Sequence, residues 1–153
     1  MKHDLADSAQ RAALVERLRH LAPNSSRQWG RMTPHQAVCH LSDAFRAILG
    51  TRPAASVATP LSRTVVKWIA LHGPMKWPTG TIKTMPEVDQ EIGGTKPLEF
   101  ARDRHELEAL MAQFAVKQEH ELQPHPMFGR MTTRQWRRWG WLHMDHHLRQ
   151  FGV

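Results

Sequence analysis

One cysteine, Cys39, stands in a chain of 153 residues. No disulfide can therefore form within the chain, and a reducing compartment is the natural expectation. No apolar run approaches the roughly 18–20 residues a membrane-spanning helix needs. The first residues, Met1-Lys2-His3-Asp4-Leu5-Ala6-Asp7, carry early acids where a secretory leader would carry an apolar stretch. A cytoplasmic protein with no membrane partner is expected. Strand-period alternation of useful length is also missing, which argues against a sheet-based fold. So is any aromatic–basic repeat or known reading-head pattern, which places nucleic acid last among the candidate partners.

What the chain does contain is an ordinary globular composition, 41% hydrophobic and 23% charged. Its length suits one domain over residues 1–153 with a substantial core. Lysine and arginine number 21 against 14 acids, a formal charge of +7 that favours anionic partners. The charge is scattered. Its densest cluster is Arg134, Arg137 and Arg138 beside Trp136 and Trp139, read as a solvated helix end or an attractor for an anionic substrate. Eleven histidines are many for this length, and their spacing is more informative than their number.

Helical spacing organises most of the chain. Leu14, Leu18 and Leu21 mark a first helix from about Asp7 to Leu21, ended by Pro23-Asn24-Ser25-Ser26. Thr33 as N-cap and Pro34 in the first turn open a second helix, which Gly50 stops. Thr59-Pro60 repeats that signal for a third helix to about Leu71, ended by His72-Gly73-Pro74. Residues 73–102 are rich in proline and glycine, and a connection this long in a compact protein suggests a functional cover or a mobile segment. Asp103 is the expected cap of a fourth helix, Arg104 to about His120. The last helix is expected from about Thr133 to Gln150. Gly129-Arg130-Met131-Thr132-Thr133-Arg134-Gln135 echoes Gly30-Arg31-Met32-Thr33-Pro34-His35-Gln36 in five of seven positions, as a trace of duplication or a chance match around a helix cap. The expected fold is all-α: a four-helix bundle with an extra short helix and long connecting loops.

The chemistry centres on Trp141-Leu142-His143-Met144-Asp145-His146-His147-Leu148-Arg149-Gln150-Phe151. On a helix, His143 and His147 project from one face, one turn apart, and can share a divalent ion. Gly140, one turn earlier, leaves room for a backbone or a ligand to approach. A third ligand must come from elsewhere, and His40, on the edge of an apolar helical face, is the best placed. Asp43 or Gln36 is expected to accept the other ring proton of His40, and Gln150 to support the pair on the last helix. His146 points away from the pair and reads as a supporting or structural residue. His35 reads as exposed, His125 beside Pro126 as a loop packing or hydrogen-bonding residue, and Cys39 as a small core residue. Three imidazoles leave coordination positions open, as a catalytic site requires.

Cys39-His40-Leu41 together with His143-x-x-x-His147-Leu148-Arg149-Gln150 resembles the DinB-like superfamily, bacterial four-helix bundles with a three-histidine metal site. Through Met32-Thr33-Pro34-His35-Gln36 and His125-Pro126-Met127-Phe128-Gly129 the likeness extends to an uncharacterised branch of that superfamily, and it covers most of the chain from Trp29 to Phe151. The resemblance implies that His40, His143 and His147 are metal ligands for Zn, Ni or Fe. It also implies a small-molecule substrate: characterised relatives include maleylpyruvate isomerase and transferases of low-molecular-weight thiols of the bacillithiol, mycothiol or glutathione type. Thiol transfer is therefore expected ahead of hydrolysis or a non-catalytic metal-binding role. Asp43, Gln36, Gln150 and His146 are the candidates for supporting residues, with Trp139 and the 74–97 loop lining the pocket. Helical faces of this kind pair readily, so a homodimer is a further expectation.

Overall fold

The computed structural model describes residues 3–73, 76–79 and 84–153. Five α-helices and no strand are present among them: α1 (Ser8–His20), α2 (Pro34–Leu49), α3 (Lys67–His72), α4 (Phe100–Ala115) and α5 (Thr133–Arg149). The long helices α1, α2, α4 and α5 make an all-α bundle, and α3 is the short addition. A π-helical turn, Ser62–Val66, leads directly into α3. The segment that begins at Thr59-Pro60 is therefore helical but not uniformly α.

The capping chemistry accounts for the boundaries. Asp7 Oδ1 accepts the backbone N–H groups of Ala9 and Gln10, satisfying two donors that an open helix end would leave bare. Thr33 and Gln36 form a reciprocal capping box at the head of α2: Thr33 Oγ1 accepts from the Gln36 amide at 3.1 Å, and Gln36 Oε1 from the Thr33 amide at 2.8 Å. Thr132 and Gln135 repeat the device at α5. The preceding glycines, Gly30 and Gly129, both lie in the left-handed region, at φ +76° and +67°. The echoed heptapeptide is thus one helix-starting device used twice: a left-handed glycine, an inward methionine and a Thr-x-x-Gln box.

The head of α4 departs from expectation. Glu99, not Asp103, is the N-cap, accepting from Ala101 and Arg102, and the helix starts at Phe100. Asp103 sits inside the first turn, where its carboxylate meets α2. The helix also stops at Ala115, and Glu119–Glu121 is a separate 3₁₀ turn. Helical periodicity runs on past Ala115 in the sequence, but a 3₁₀ turn preserves much of that spacing.

Twelve of the sixteen residues of α2 are buried, which makes it the central helix. Phe45 on α2, Phe114 on α4 and Trp136 and Trp139 on α5 meet in the core, with ring centroids 5.1–6.2 Å apart. Truncating one such ring costs about 3–5 kcal/mol. Gly140 serves this packing. A Cβ there would lie 2.8 Å from Phe114 Cε1 and 2.9 Å from Leu5 Cδ2, so the close approach is made by core side chains, not by a backbone or ligand. In contrast, Leu61, Val65, Trp68 and Ile69 on the π-turn and α3 are exposed.

Candidate metal centre

The three histidines separated by 103 positions of sequence meet. His40 lies mid-way along α2, and His143 and His147 project one turn apart from α5. Their ring centroids are 5.3 Å (His40–His143), 4.8 Å (His40–His147) and 5.1 Å (His143–His147) apart. One nitrogen from each lies within 4.8 Å of the others. His40 Nε2 and His143 Nε2 are 3.3 Å apart. Nitrogens bound about 2.0–2.1 Å from a tetrahedral ion stand about 3.3–3.4 Å from one another, so this pair already has the separation of two ligands.

Hydrogen bonds on the far side of two rings fix which nitrogen faces inward. His40 Nδ1 donates to the backbone carbonyl oxygen of Val88 at 2.9 Å, which leaves Nε2 as the nitrogen turned to the centre. His147 Nδ1 donates to Gln150 Oε1 at 3.0 Å. Gln150 is itself oriented, because its Nε2 donates to the Trp29 carbonyl at 3.0 Å. Gly30 makes room for this: a Cβ there would lie 2.6 Å from Gln150 Nε2. His143 differs. Its Nδ1 is buried without a hydrogen-bond partner.

Burial pushes the pKa values of all three imidazoles down, those of His143 and His147 well below the ordinary histidine value. Mutual repulsion between the rings adds to this for His143 and His147. All three are thus neutral at physiological pH, the form that binds a metal. The donor set and its spacing fit a divalent transition ion.

The supporting residues sort differently from expectation. Gln150 holds His147, as expected. Neither Asp43 nor Gln36 accepts the His40 proton; Val88 does. Gln36 is engaged in the α2 capping box. Asp43 is fully buried and grips the loop that carries Val88. It accepts from the Thr95 amide at 2.7 Å, the Thr95 hydroxyl at 2.7 Å and Gln90 Nε2 at 3.1 Å, and it pairs with Arg46 and Arg52. Arg52 also donates to the carbonyls of Glu87 and Gly93. Asp43 therefore reaches His40 through the loop and not by contact. His146 is not part of the converging set. It lines the adjoining cavity, with Nδ1 buried and unpartnered, and burial followed by the Arg149 charge lowers its pKa to about 4.

That cavity, about 200 Å³, opens beside the three rings. Its walls include Trp77, Val88, His125, Met127, Trp139 and His146. Trp139 and part of the 74–97 loop thus line it as expected; residues 74, 75 and 80–83 of that loop lie outside the described residues. Arg134, Arg137 and Arg138 do not appear among the described lining residues.

A second group of metal-ligand types, His35, Cys39 and Asp103, joins α2 to α4. His35 is not exposed: its Nε2 lies 2.7 Å from Asp103 Oδ2. The Cys39 thiol donates to the same oxygen at 3.7 Å, and the Leu98 amide donates to it at 3.1 Å. Burial, then the Asp103 charge, pushes the Cys39 thiol up to about 12. It is neither a nucleophile nor a ready ligand, in keeping with a small core residue.

A family model described as "Protein of unknown function (DUF1569)" matches residues 2–152. The chain belongs to that family. No curated protein and no solved structure matches it. In this DUF1569 chain two elements of the site had no signal in the sequence. The Val88 carbonyl is a main-chain group that any residue type supplies. The engagement of the half-buried His125 ring follows from the tight turn it closes with Gly129 and not from a residue pattern.

Proposed function

We propose that the chain is a divalent-metal-dependent enzyme of the DinB-like kind, with His40, His143 and His147 holding one Zn, Ni or Fe ion. The observation that carries this reading is the convergence of three neutral imidazoles at the wall of a solvent-sized cavity. A purely structural site would be closed on all sides by protein ligands. An ion held there supplies the acidity that makes a water or a thiol nucleophilic at neutral pH. The chain's own part is positional. Val88 and Gln150 hold two rings in the required tautomer, Asp43 secures the loop that presents Val88, and Trp77, Met127 and Trp139 give the substrate an apolar, partly dehydrated surround.

Transfer of a low-molecular-weight thiol to an electrophile stands ahead of hydrolysis, by analogy alone: Cys39-His40-Leu41 and His143-x-x-x-His147 resemble the DinB-like superfamily, whose characterised members include thiol transferases. Metal analysis of purified wild type beside His143→Ala tests the site, with one equivalent expected in the first and none in the second. A conjugation screen of the loaded protein with bacillithiol, mycothiol and glutathione follows. Equal metal content in both proteins overturns the site. Ester or amide turnover without thiol conjugation overturns the transferase reading in favour of a hydrolase. A loaded protein inactive in both screens points to a non-catalytic metal-binding module.

A further inference from the structure

His125 is held through its backbone, its Nδ1 and its ring. Its backbone exchanges two hydrogen bonds with Gly129, N–H to O in both directions at 2.8 Å. Its ring stacks on Phe128, with centroids 4.5 Å apart and planes 16° from parallel, and meets Trp139 edge-on at 5.2 Å. Its Nδ1 accepts from the backbone amides of Met127 and Phe128, both at 3.1 Å. Backbone amides only donate, so Nδ1 carries a lone pair and no proton. A neutral imidazole with a bare Nδ1 must carry its proton on Nε2, and an imidazolium would set a third N–H against the two amides. Burial alone drives its pKa down to about 3. The ring lines the same cavity as the three converging histidines, and the Trp139 ring bridges the two places, 5.0 Å from His143 and 5.2 Å from His125.

We infer that His125 presents a fixed, neutral Nε2–H donor to the cavity, and that the site takes a small carbonyl compound with an apolar body, its oxygen on His125 and its other end toward the three histidines. Ala44, Ala47, Ile48, Trp77, Met127 and Trp139 supply the apolar surround. A neutral donor suits a carbonyl oxygen: it strengthens the dipole of the bound group without requiring a proton to be moved first. The inference deepens the metal-enzyme reading by naming a substrate class. It rests on that reading for where the reacting end lies.

The matched probes are acetophenone and α-methylstyrene, which differ in C=O against C=CH₂. Their affinities are measured by NMR titration on the metal-free and the zinc-loaded chain, in wild type and His125→Asn. Asparagine keeps an oxygen that accepts from amides two and three residues on, so the turn survives while the donor is withdrawn from the cavity. The ratio of the two affinities is expected to shift by about 3- to 10-fold against acetophenone in the variant, the size of one hydrogen bond. Imidazole ¹⁵N shifts of wild type are expected to show a protonated Nε2 and a bare Nδ1 at pH 7, with the Nε2–H proton moved by acetophenone and not by α-methylstyrene. A protonated Nδ1, an unchanged ratio, or no binding of acetophenone up to its solubility limit each overturns the inference. Loss of zinc binding with the ratio shift intact would sink the metal reading alone. Zinc binding without a ratio shift would sink only the role of His125.

Discussion

Helix α2 contributes to two polar clusters, and they solve opposite problems. On one side His35 and Cys39 meet Asp103 of α4, and a single carboxylate oxygen receives the imidazole, the thiol and the Leu98 amide. Donors and acceptor are matched there, and the result is a clasp between two helices. On the other side His40 meets His143 and His147, and the nitrogens that face each other have no carboxylate among them. Their outer nitrogens are engaged by Val88 and Gln150, or in His143 by nothing. The first cluster is complete as it stands. In the second, one nitrogen from each of three imidazoles converges on a common point, a donor set that could hold a cation.

The sharpest way to break this contrast is substitution of one ring from each cluster. His143→Ala is expected to abolish stoichiometric metal uptake, whereas His35→Ala is expected to keep it; elemental analysis of the two proteins decides. The same comparison in melting experiments should show Zn raising the wild-type and His35→Ala midpoints, and leaving His143→Ala unmoved. Next in size is Gln150→Leu, which removes the acceptor for His147 Nδ1. A loss of about 10- to 100-fold in metal affinity is expected, read by competition with a chelator of known strength. Asp103→Ala should do the reverse. Three donors lose their partner, stability falls by about 1–3 kcal/mol in urea unfolding, and metal affinity is unchanged.

A last comparison separates the two sides by pH. The folded pKa of His125, in the cavity, is held at about 3 by burial, below its unfolded value of about 6.5. A depressed folded pKa gives stability that is complete above the unfolded value and is lost as pH falls below it. Unfolding free energy of the metal-free chain should therefore decline from about pH 6.5 downward, by up to about 1.4 kcal/mol per pH unit from this one ring. His125→Asn should make that decline shallower, the remainder coming from His40, His143, His146 and His147, whose pKa values burial also lowers. For Asp103, burial raises the carboxyl pKa, but the bond from His35 and the Leu98 amide outweigh it and leave the value lowered. The clasp should accordingly keep its strength until the pH falls below about 4, the unfolded carboxylate range. A wild-type profile flat down to pH 4 would contradict the first half of this comparison.

The sequence made the bundle readable because caps are local chemistry. Thr33, Pro34 and Gly50 bound α2 as expected, while the Thr-x-x-Gln boxes that open α2 and α5 emerge only in the structure. It misplaced the head of α4 because Glu99 and Asp103 are both acceptable caps by type, and only the position of α2 decides that Asp103 turns toward His35. The three rings were legible for a similar reason: an i, i+4 pair is a local pattern, and a histidine at the edge of an apolar face is conspicuous. Partners fixed by tertiary contact were not. Asp43 is three residues from His40, yet it serves the loop, and the acceptor for His40 is a main-chain oxygen 48 residues away. His125 reads as a loop packing or hydrogen-bonding residue, and only the turn up to Gly129 shows that its Nδ1 accepts from the Met127 and Phe128 amides.

The buried Asp43 carboxylate pins one segment that does two jobs: Val88 steadies a ligand ring through its carbonyl and walls the chamber with its side chain. Slackening that pin by removing Thr95 or Arg52 would blur imidazole orientation and chamber outline in a single stroke. On the metal-enzyme reading, chamber outline and ion retention would then be mechanically yoked, and variants selected for a roomier chamber by loosening this strap would be expected to hold a metal less tightly.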